Sequence, residues 1–184
     1  MKIWVTSDSH FGHDREFIWK PRGFQSVDEM NEAIVNRWNS VVDKDDIVYH
    51  LGDVLLGDVE KNISFLKRLN GKIIIIAGNH DTDSRIDLYT KEGYKVLWAQ
   101  KLKYQGYSFF LTHFPSLTSN LQKESLKQCT CNLFGHTHQT TNFYQDIPFM
   151  YHVGMDSHNC YPVLLDNIIE EMQNKVKECR KFLD

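Results

Sequence analysis

The feature that most constrains the fold is a run of four isoleucines, Ile73–Ile76, which ends in the polar sequence Gly78-Asn79-His80-Asp81. A continuous apolar run of this length is typical of a strand that is covered on both faces, as in a parallel sheet between helices. Ligands of open α/β sheets bind beyond the carboxyl ends of the strands. The run therefore predicts a buried central strand with a functional tip.

Helices and strands alternate in the first half of the chain. Apolar residues recur at helical spacing within residues 26–42, and Ser26 and Glu29 have the spacing of a capping box. Asp58 is a suitable N-cap and Gly71 a suitable stop for a second helix. With strands at residues 2–8, 46–53 and 72–79, the order β-α-β-α-β predicts a sheet covered on both faces.

The second half has a different pattern. A short helix is predicted over residues 84–91, and a hairpin over 101–113 that turns near Gln105-Gly106. Further strands are predicted over 131–136 and 148–154, and a last helix over about 166–182. These segments are more antiparallel than the first half. A two-sheet α/β sandwich in a single domain, residues 1–184, fits the whole pattern.

Composition, charge and hydropathy favour some classes of protein over others. The chain has 184 residues, a net charge of −3 and a pI near 6.3, so no general basic field favours nucleic acid. No apolar stretch is long enough to span a membrane, and the residues before Asp8 are too few for the core of a signal peptide. We therefore expect a cytoplasmic protein with reduced cysteines. Cys129 and Cys131 are interpreted as packing residues, and the oligomeric state is not readable.

Polar side chains concentrate in five loops, each directly after a predicted strand. These loops are Ser7–His10, Leu51–Val54, Gly78–Asp81, Thr112–Phe114 and Gly135–His138. Imidazole and carboxylate together suit Zn, Mn, Fe or Co. Two carboxylates, one amide oxygen and four imidazoles, with His80 set aside, are too many ligands for one tetrahedral ion. Divided between two ions, they suit the in-line displacement of phosphoester hydrolysis.

The ordered set of Asp-x-His, Gly-Asp, Gly-Asn-His-Asp, a lone His and Gly-His-Thr-His resembles the calcineurin-like metallophosphoesterases, from Asp8 to His138. The resemblance implies the family's four-layer α/β/β/α sandwich with mixed sheets. It also implies two divalent transition-metal ions, with Mn favoured in vitro. The first would be held by Asp8, His10 and His138, the second by Asn79, His113 and His136, and Asp53 would bridge them.

The resemblance also implies roles for the two residues that follow Asn79. His80 would contact a phosphoryl oxygen or protonate the leaving group, and Asp81 would orient His80 by accepting its other N–H. A hydroxide that bridges the metals would attack the phosphorus. Catalysis is thus expected from His80 and Asp81.

The substrate is less constrained by the sequence. The family's protein phosphatases carry Asp-Arg-Gly after Gly-Asp, whereas this chain has no arginine there, which favours a small phosphodiester or nucleotide-like substrate over a dianionic monoester. Residues 11–24 are predicted to form a lip at the metal loops, with His13, Arg15 and Arg22 binding substrate; a packed, solvated loop is the alternative. A nuclease and a non-catalytic metal-binding scaffold are the other functional readings.

Overall fold

The computed structural model describes residues 1–119 and 125–181, with side chains as far as Cys179. The helices and strands follow the predicted order, with α1, β4 and β9 as short elements that the sequence pattern did not predict. In chain order they are β1 (Ile3–Thr6), α1 (Glu16–Trp19), α2 (Val27–Val41), β2 (Ile47–His50), α3 (Val59–Lys67), β3 (Lys72–Ile76), α4 (Asp83–Lys91), β4 (Lys95–Leu97), β5 (Gln100–Tyr104), β6 (Tyr107–Leu111), β7 (Thr130–Phe134), β8 (Met150–His152), β9 (Val163–Leu164) and α5 (Leu165–Lys181).

The first sheet has the strand order β4-β3-β2-β1-β9, with β1 to β4 parallel and β9 antiparallel to β1. The isoleucine run forms β3, between β2 and β4. Ile73 and Ile75 pack in a core with α2 and α3, whereas Ile74 and Ile76 face a second core on the other side. The strand is therefore covered on both faces, as its apolar run predicts.

Capping residues set the helix starts in the first half. The Ser26 hydroxyl accepts the Glu29 N–H at 3.1 Å, so α2 begins where the capping-box spacing predicts. The Asp58 carboxylate accepts the Lys61 N–H at 3.2 Å at the start of α3. This helix ends at Lys67, before the predicted stop, and Gly71 at φ +93° turns the chain into β3.

The second sheet has the order β5-β6-β7-β8. Strands β5 and β6 form the predicted hairpin, whose turn residues Gln105 and Gly106 both have positive φ. Two pairs of the described strands are antiparallel, β5–β6 and β1–β9, and each of them includes at least one strand from the second half of the chain. Strands β6, β7 and β8 are parallel, so their carboxyl ends lie at one edge.

The second core joins the two sheets. It contains side chains from the second face of the first sheet, from one face of the second sheet and from α5. Cys129 and Cys131 both lie in this core, in agreement with a packing role. The prediction of an α/β fold with two mixed sheets is confirmed. No helix within the described residues has both the length and the hydrophobicity needed to cross a membrane.

Candidate metal centre

The polar loops of both sheets meet at one edge of the molecule. Backbone hydrogen bonds tie the loops together: the Asp8 N–H donates to the Gly52 carbonyl at 3.0 Å, and the Gly135 N–H donates to the His113 carbonyl at 2.9 Å. A parallel bridge between Ser7 and Gly154 connects the end of β1 to the segment after β8. The seven predicted ligands are thereby brought into one cluster.

One group of potential ligands contains Asp8, His10 and His138. One donor atom from each of them lies within 4.8 Å of the others. His10 Nε2 is 3.2 Å from His138 Nε2 and 3.9 Å from an Asp8 carboxylate oxygen. Asp8 and His10 are buried, so these groups have little water to interact with.

A second group surrounds the Asn79 side-chain oxygen. Asn79 Oδ1 is 2.8 Å from His113 Nε2 and 2.7 Å from His136 Nδ1. Asp53 lies between the groups, because its Oδ2 atom is 3.5 Å from His113 Nε2 and 3.9 Å from His10 Nε2. Asp8 and Asp53 also form a three-residue cluster with His113.

The hydrogen bonds at the rim of the cluster show that its ligand atoms present lone pairs that suit a cation. His113 Nδ1 is 2.7 Å from the Leu51 carbonyl oxygen, so this nitrogen carries the proton and Nε2 presents its lone pair. That lone pair faces the Asn79 oxygen and the Asp53 carboxylate, both of which are also acceptors. Lone pairs at these distances repel each other unless a cation lies between them, so the residues fit a metal site.

Backbone conformation at this edge is unusual. Five of the seven predicted ligands have φ between +48° and +67°, a region that non-glycine residues rarely adopt; they are Asp8, His10, Asp53, His136 and His138. Such conformations cost of order 1–3 kcal/mol each and cluster at functional sites. The ligand residues themselves therefore have the left-handed backbone conformation at this edge.

Two of the neighbouring glycines are required for close approach. A Cβ atom at Gly135 would lie 2.1 Å from Ser7 Oγ and 2.4 Å from an Asp8 carboxylate oxygen. A Cβ at Gly78 would lie 2.3 Å from an Asp53 carboxylate oxygen. Neither glycine has positive φ, so the missing side chain is what allows two loops to touch.

Burial controls the protonation of the cluster. It lowers the pKa of His10 well below the ordinary value and also lowers the pKa of His136, which keeps their lone pairs available. Burial also raises the pKa of the Asp8 carboxyl. At His138 burial lowers the pKa, but the hydrogen bond to Asp156 and the negative charges of Asp8 and Asp156 together outweigh it, so the net pKa is raised.

Arg22 lies in a different place from the one predicted. Its guanidinium is buried and forms a bidentate ion pair with the Asp156 carboxylate, with both N–O distances 2.9 Å. It also donates to the carbonyls of Asp8 and Ser9. Because these partners occupy the fork, the prediction that Arg22 binds substrate is wrong: it supports the loop after β1.

Asp156 is a further candidate residue of the site, which the sequence analysis did not assign to it. Its carboxylate accepts from His138 Nδ1 at 2.9 Å, which directs the Nε2 lone pair of His138 toward His10. Although burial raises it, hydrogen bonds from His138 and Arg22 hold the pKa of Asp156 well below its usual range. The signal was present, because Asp156 follows β8 as the other polar residues follow their strands.

Asp81 also departs from its predicted role. One carboxylate oxygen accepts the N–H groups of Asp53 and Gly78, at 2.7 and 2.9 Å. The other accepts the Val54 N–H at 3.3 Å and the Tyr89 hydroxyl at 3.0 Å. These four donors fill the acceptor sites of a carboxylate. The prediction that Asp81 orients His80 is therefore wrong, because no acceptor site is left for that ring.

His80 and the predicted lip lie around the mouth of the cluster. The His80 ring is 47% exposed, with Nε2 4.0 Å from Asp53 Oδ2. Its backbone N–H donates to the other Asp53 oxygen at 2.9 Å, which fixes the loop while the ring faces outward. The His13 ring lies 5.3 Å from the His10 ring, and Arg15 is exposed at the start of α1.

The chain is similar to several known proteins in sequence or in fold. An uncharacterized protein of Methanocaldococcus jannaschii is 34% identical over 180 residues, covering 92% of this chain and 90% of that protein. The Gene 66 protein of Mycobacterium phage L5 is 26% identical over 183 residues, covering 84% of this chain and 86% of its own length. A solved structure of a protein of unknown function from Aquifex aeolicus has the same fold, with a TM-score of 0.69 at 20% identity, and covers 92% of this chain and 98% of its own.

The family itself is identified by a match over most of the chain. Residues 1–155 match the model of the calcineurin-like phosphoesterase superfamily domain. This range includes every predicted metal ligand and ends one residue before Asp156. The matched range, the fold and the converging ligands together show that the chain belongs to the calcineurin-like phosphoesterase superfamily.

Proposed function

We propose that this protein is a dinuclear metal-dependent phosphoesterase that prefers phosphodiesters. In this proposal Asp8, His10 and His138 would hold one divalent transition-metal ion, and Asn79, His113 and His136 would hold the second. Asp53 would be shared between the two. The observation that carries the proposal is the position of Asp53 Oδ2, within 4 Å of His10 Nε2 and of His113 Nε2, one nitrogen from each set.

Two ions at such a site would supply Lewis-acid activation of the phosphate ester and of the attacking water. The protein's own contribution is to hold the ligands in place before substrate arrives. Leu51 and Asp156 fix the tautomers of His113 and His138, so neither ring has to reorient. This arrangement supports hydrolysis rather than metal storage, because it leaves an exposed imidazole at the mouth of the cluster.

That imidazole belongs to His80, which we propose as the catalytic histidine. Its ring makes no hydrogen bond with any described residue, and almost half of its surface is exposed. It can therefore donate to a phosphoryl oxygen or to the leaving-group oxygen. Its orientation comes from the loop, through the bond from its backbone N–H to Asp53, rather than from Asp81.

The preference for diesters rests on the arginines. A dianionic monoester is best held by an arginine fork, and the guanidinium of Arg22 is already occupied by Asp156. A diester carries a single negative charge and needs no such fork. His13 and Arg15 at the lip remain proposed substrate contacts.

The proposal is tested by hydrolysis of bis-p-nitrophenyl phosphate beside p-nitrophenyl phosphate, with chelator-stripped protein to which Mn is added back. We expect Mn-dependent turnover that favours the diester. In His80→Ala, kcat should fall about 10²- to 10⁴-fold. The variant should still bind two ions per chain, because the His80 ring is not among the proposed ligands.

Other outcomes would change the assignment. Faster hydrolysis of the monoester would contradict the diester preference but keep the phosphoesterase. Two bound ions without turnover of either ester would contradict catalysis and favour a metal-binding scaffold. Loss of metal in His80→Ala would show that the histidine is a ligand instead of an acid.

A further inference from the structure

A cavity of about 470 Å³ opens beside the proposed second metal site. Two of the proposed ligands of that site, Asn79 and His113, line the cavity themselves. Its walls come from the loops that follow β3, β4 and β6. A phosphate held at the ligands would therefore place one of its ester groups at the entrance to this cavity.

Two partly exposed aromatic rings line the same cavity. Trp98 is 71% exposed and Phe114 is 48% exposed. Phe114 is held by edge contacts with two proposed ligands, with ring centroids 5.1 Å from His113 and 4.7 Å from His136. Phe114 is thus packed directly on the proposed metal ligands, and Trp98 is a second aromatic side chain of the cavity.

The sheet topology explains why Trp98 is at this edge. Strand β4 is parallel to β3, with Ile76 paired to Leu97, so the residue after each strand emerges at the same end. Trp98 follows β4 as Asn79 follows β3. The chain then crosses to β5 in the second sheet, and the Trp98 side chain stays largely in solvent.

The polar side chains of the cavity include carboxylates and hydroxyls, besides the Asn79 amide, the His113 ring and the Trp98 indole. None of the described residues that line it is lysine or arginine. Thr82 and Ser116 bring hydroxyl groups, and Asp83 at the start of α4 brings an exposed carboxylate. A phosphate would be repelled by this lining, whereas a neutral planar group with N–H donors would suit it.

We propose that this cavity binds the nucleobase of a nucleoside phosphoester, with Trp98 as the principal stacking residue. The proposal rests on the proposed function for the position of the phosphate, and it adds the class of the ester group. Aromatic side chains bind bases by stacking on their π-faces, and acceptors such as the Asp83 carboxylate suit the exocyclic amino groups of bases. The protein thereby distinguishes nucleoside esters from simple alkyl esters.

The first test measures binding and does not depend on turnover. Mn-loaded protein is titrated with adenosine 5′-monophosphate and with ribose 5-phosphate by calorimetry. Both ligands carry the same phosphate, and only the first carries a base. We expect the nucleotide to bind at least about tenfold more tightly, which is the order expected for one base stacked on an aromatic side chain.

Variants assign the difference to Trp98. In Trp98→Ala the nucleotide should bind no better than ribose 5-phosphate, while the ribose 5-phosphate affinity stays unchanged. Trp98→Phe should keep most of the difference, because it keeps an aromatic face. Tyr161→Ala is the matched control, since this exposed ring packs on Arg37 outside the cavity, and it should change neither affinity.

Three results would overturn the inference. Equal affinities for the two ligands in the unmodified protein would show that no base is bound. Equal loss of both affinities in Trp98→Ala would show that the residue only maintains the metal loops. A loss of base preference in Phe17→Ala but not in Trp98→Ala would also overturn it. The base would then lie against the lip formed by residues 11–24, which includes Phe17, and not in the cavity.

Hydrolysis separates the inference from the proposed function. Thymidine 5′-p-nitrophenyl phosphate is compared with methyl p-nitrophenyl phosphate, which has the same leaving group and no base. A KM that is lower for the nucleoside ester, and rises about tenfold in Trp98→Ala at unchanged kcat, supports the inference. Hydrolysis of both esters with the same KM overturns it and leaves the phosphoesterase intact. Base-dependent binding without hydrolysis supports the inference and contradicts the proposed function.

Discussion

Asp156 shows how one buried carboxylate can control a proposed metal ligand from outside the ligand set. It lies between the Arg22 guanidinium and the His138 ring, with hydrogen bonds of 2.9 Å to each. The arginine compensates the buried charge, and the carboxylate fixes the histidine tautomer. Supporting residues of this kind change metal affinity by about 10- to 100-fold when they are mutated.

Asp156→Asn should therefore weaken metal binding by about that factor, because the amide attracts the His138 N–H less strongly and leaves Arg22 without its counter-charge. The measurement is a competition with a chromogenic chelator, together with urea unfolding of the metal-free protein. Asp146→Asn is the matched control: Asp146 pairs with Lys175 at the surface, and its loss should change neither quantity. Unchanged metal affinity in Asp156→Asn would contradict the supporting role.

Loops and helices are joined at this edge by a single side chain, Asp81. Its carboxylate accepts from the loop after β2, from the loop after β3 and from Tyr89 of α4. The three segments carry Asp53, Asn79 and His80, so their relative positions depend on Asp81. Its contribution to function is to hold these segments together.

Asp81→Asn should destabilise the protein by several kcal/mol, because an amide cannot accept from all four donors and its NH₂ group faces backbone N–H groups. Tyr89→Phe removes only one of the four bonds, and it should cost about 1–2 kcal/mol. Urea unfolding of the metal-free variants measures both. An Asp81→Asn protein of normal stability with a shifted pH optimum would instead indicate that Asp81 acts on His80.

Some of the strands and helix starts could be predicted from the sequence, and others could not. The pattern of apolar residues predicted β1, β2 and β3, because each is a buried strand with a local signal of its own. The cap residues Ser26 and Asp58 predicted two helix starts for the same reason. Strands β4 and β9 were missed, since they are two or three residues long and exist only through pairing with the first sheet.

For the molecule as a whole, buried histidines outside the proposed ligand set link stability to pH. His50 Nε2 is 2.9 Å from the Ser9 hydroxyl, which donates to the Val54 carbonyl, so Nε2 carries the proton. Nδ1 is buried and has no hydrogen-bond partner among the described residues. His152 Nε2 is likewise buried and unpartnered. Burial lowers the pKa of His50 to about 4 and the pKa of His152 to about 3.

The sign of the pH dependence follows from these directions. Above the unfolded value near 6.5 both histidines are neutral in both states, and their stability contribution is fully present. Below that pH only the unfolded chain takes up the protons, so stability falls as the pH drops toward 4. By pH 5 the loss should reach about 2 kcal/mol for each histidine.

Urea unfolding of the metal-free protein between pH 7.5 and 5 measures this loss. In His50→Gln the loss of unfolding free energy between pH 7.5 and 5 should be smaller by about the contribution of one histidine, because glutamine does not titrate. This holds whatever the substitution does to stability at pH 7.5. A flat profile in the unmodified protein would contradict the assignment of buried neutral histidines.

The sequence alone was enough to identify the fold class, the family and the seven residues that converge, because each of them follows a strand whose signal is local. Parallel strands then bring their ends to one edge, so adjacency along the chain predicts adjacency in space. The tertiary structure was needed for the pairing of Arg22 with Asp156, 134 residues away, for the four partners of Asp81 and for the position of Trp98 beside the cavity. These features depend on distances between loops of different strands, and no local pattern of residues encodes such distances.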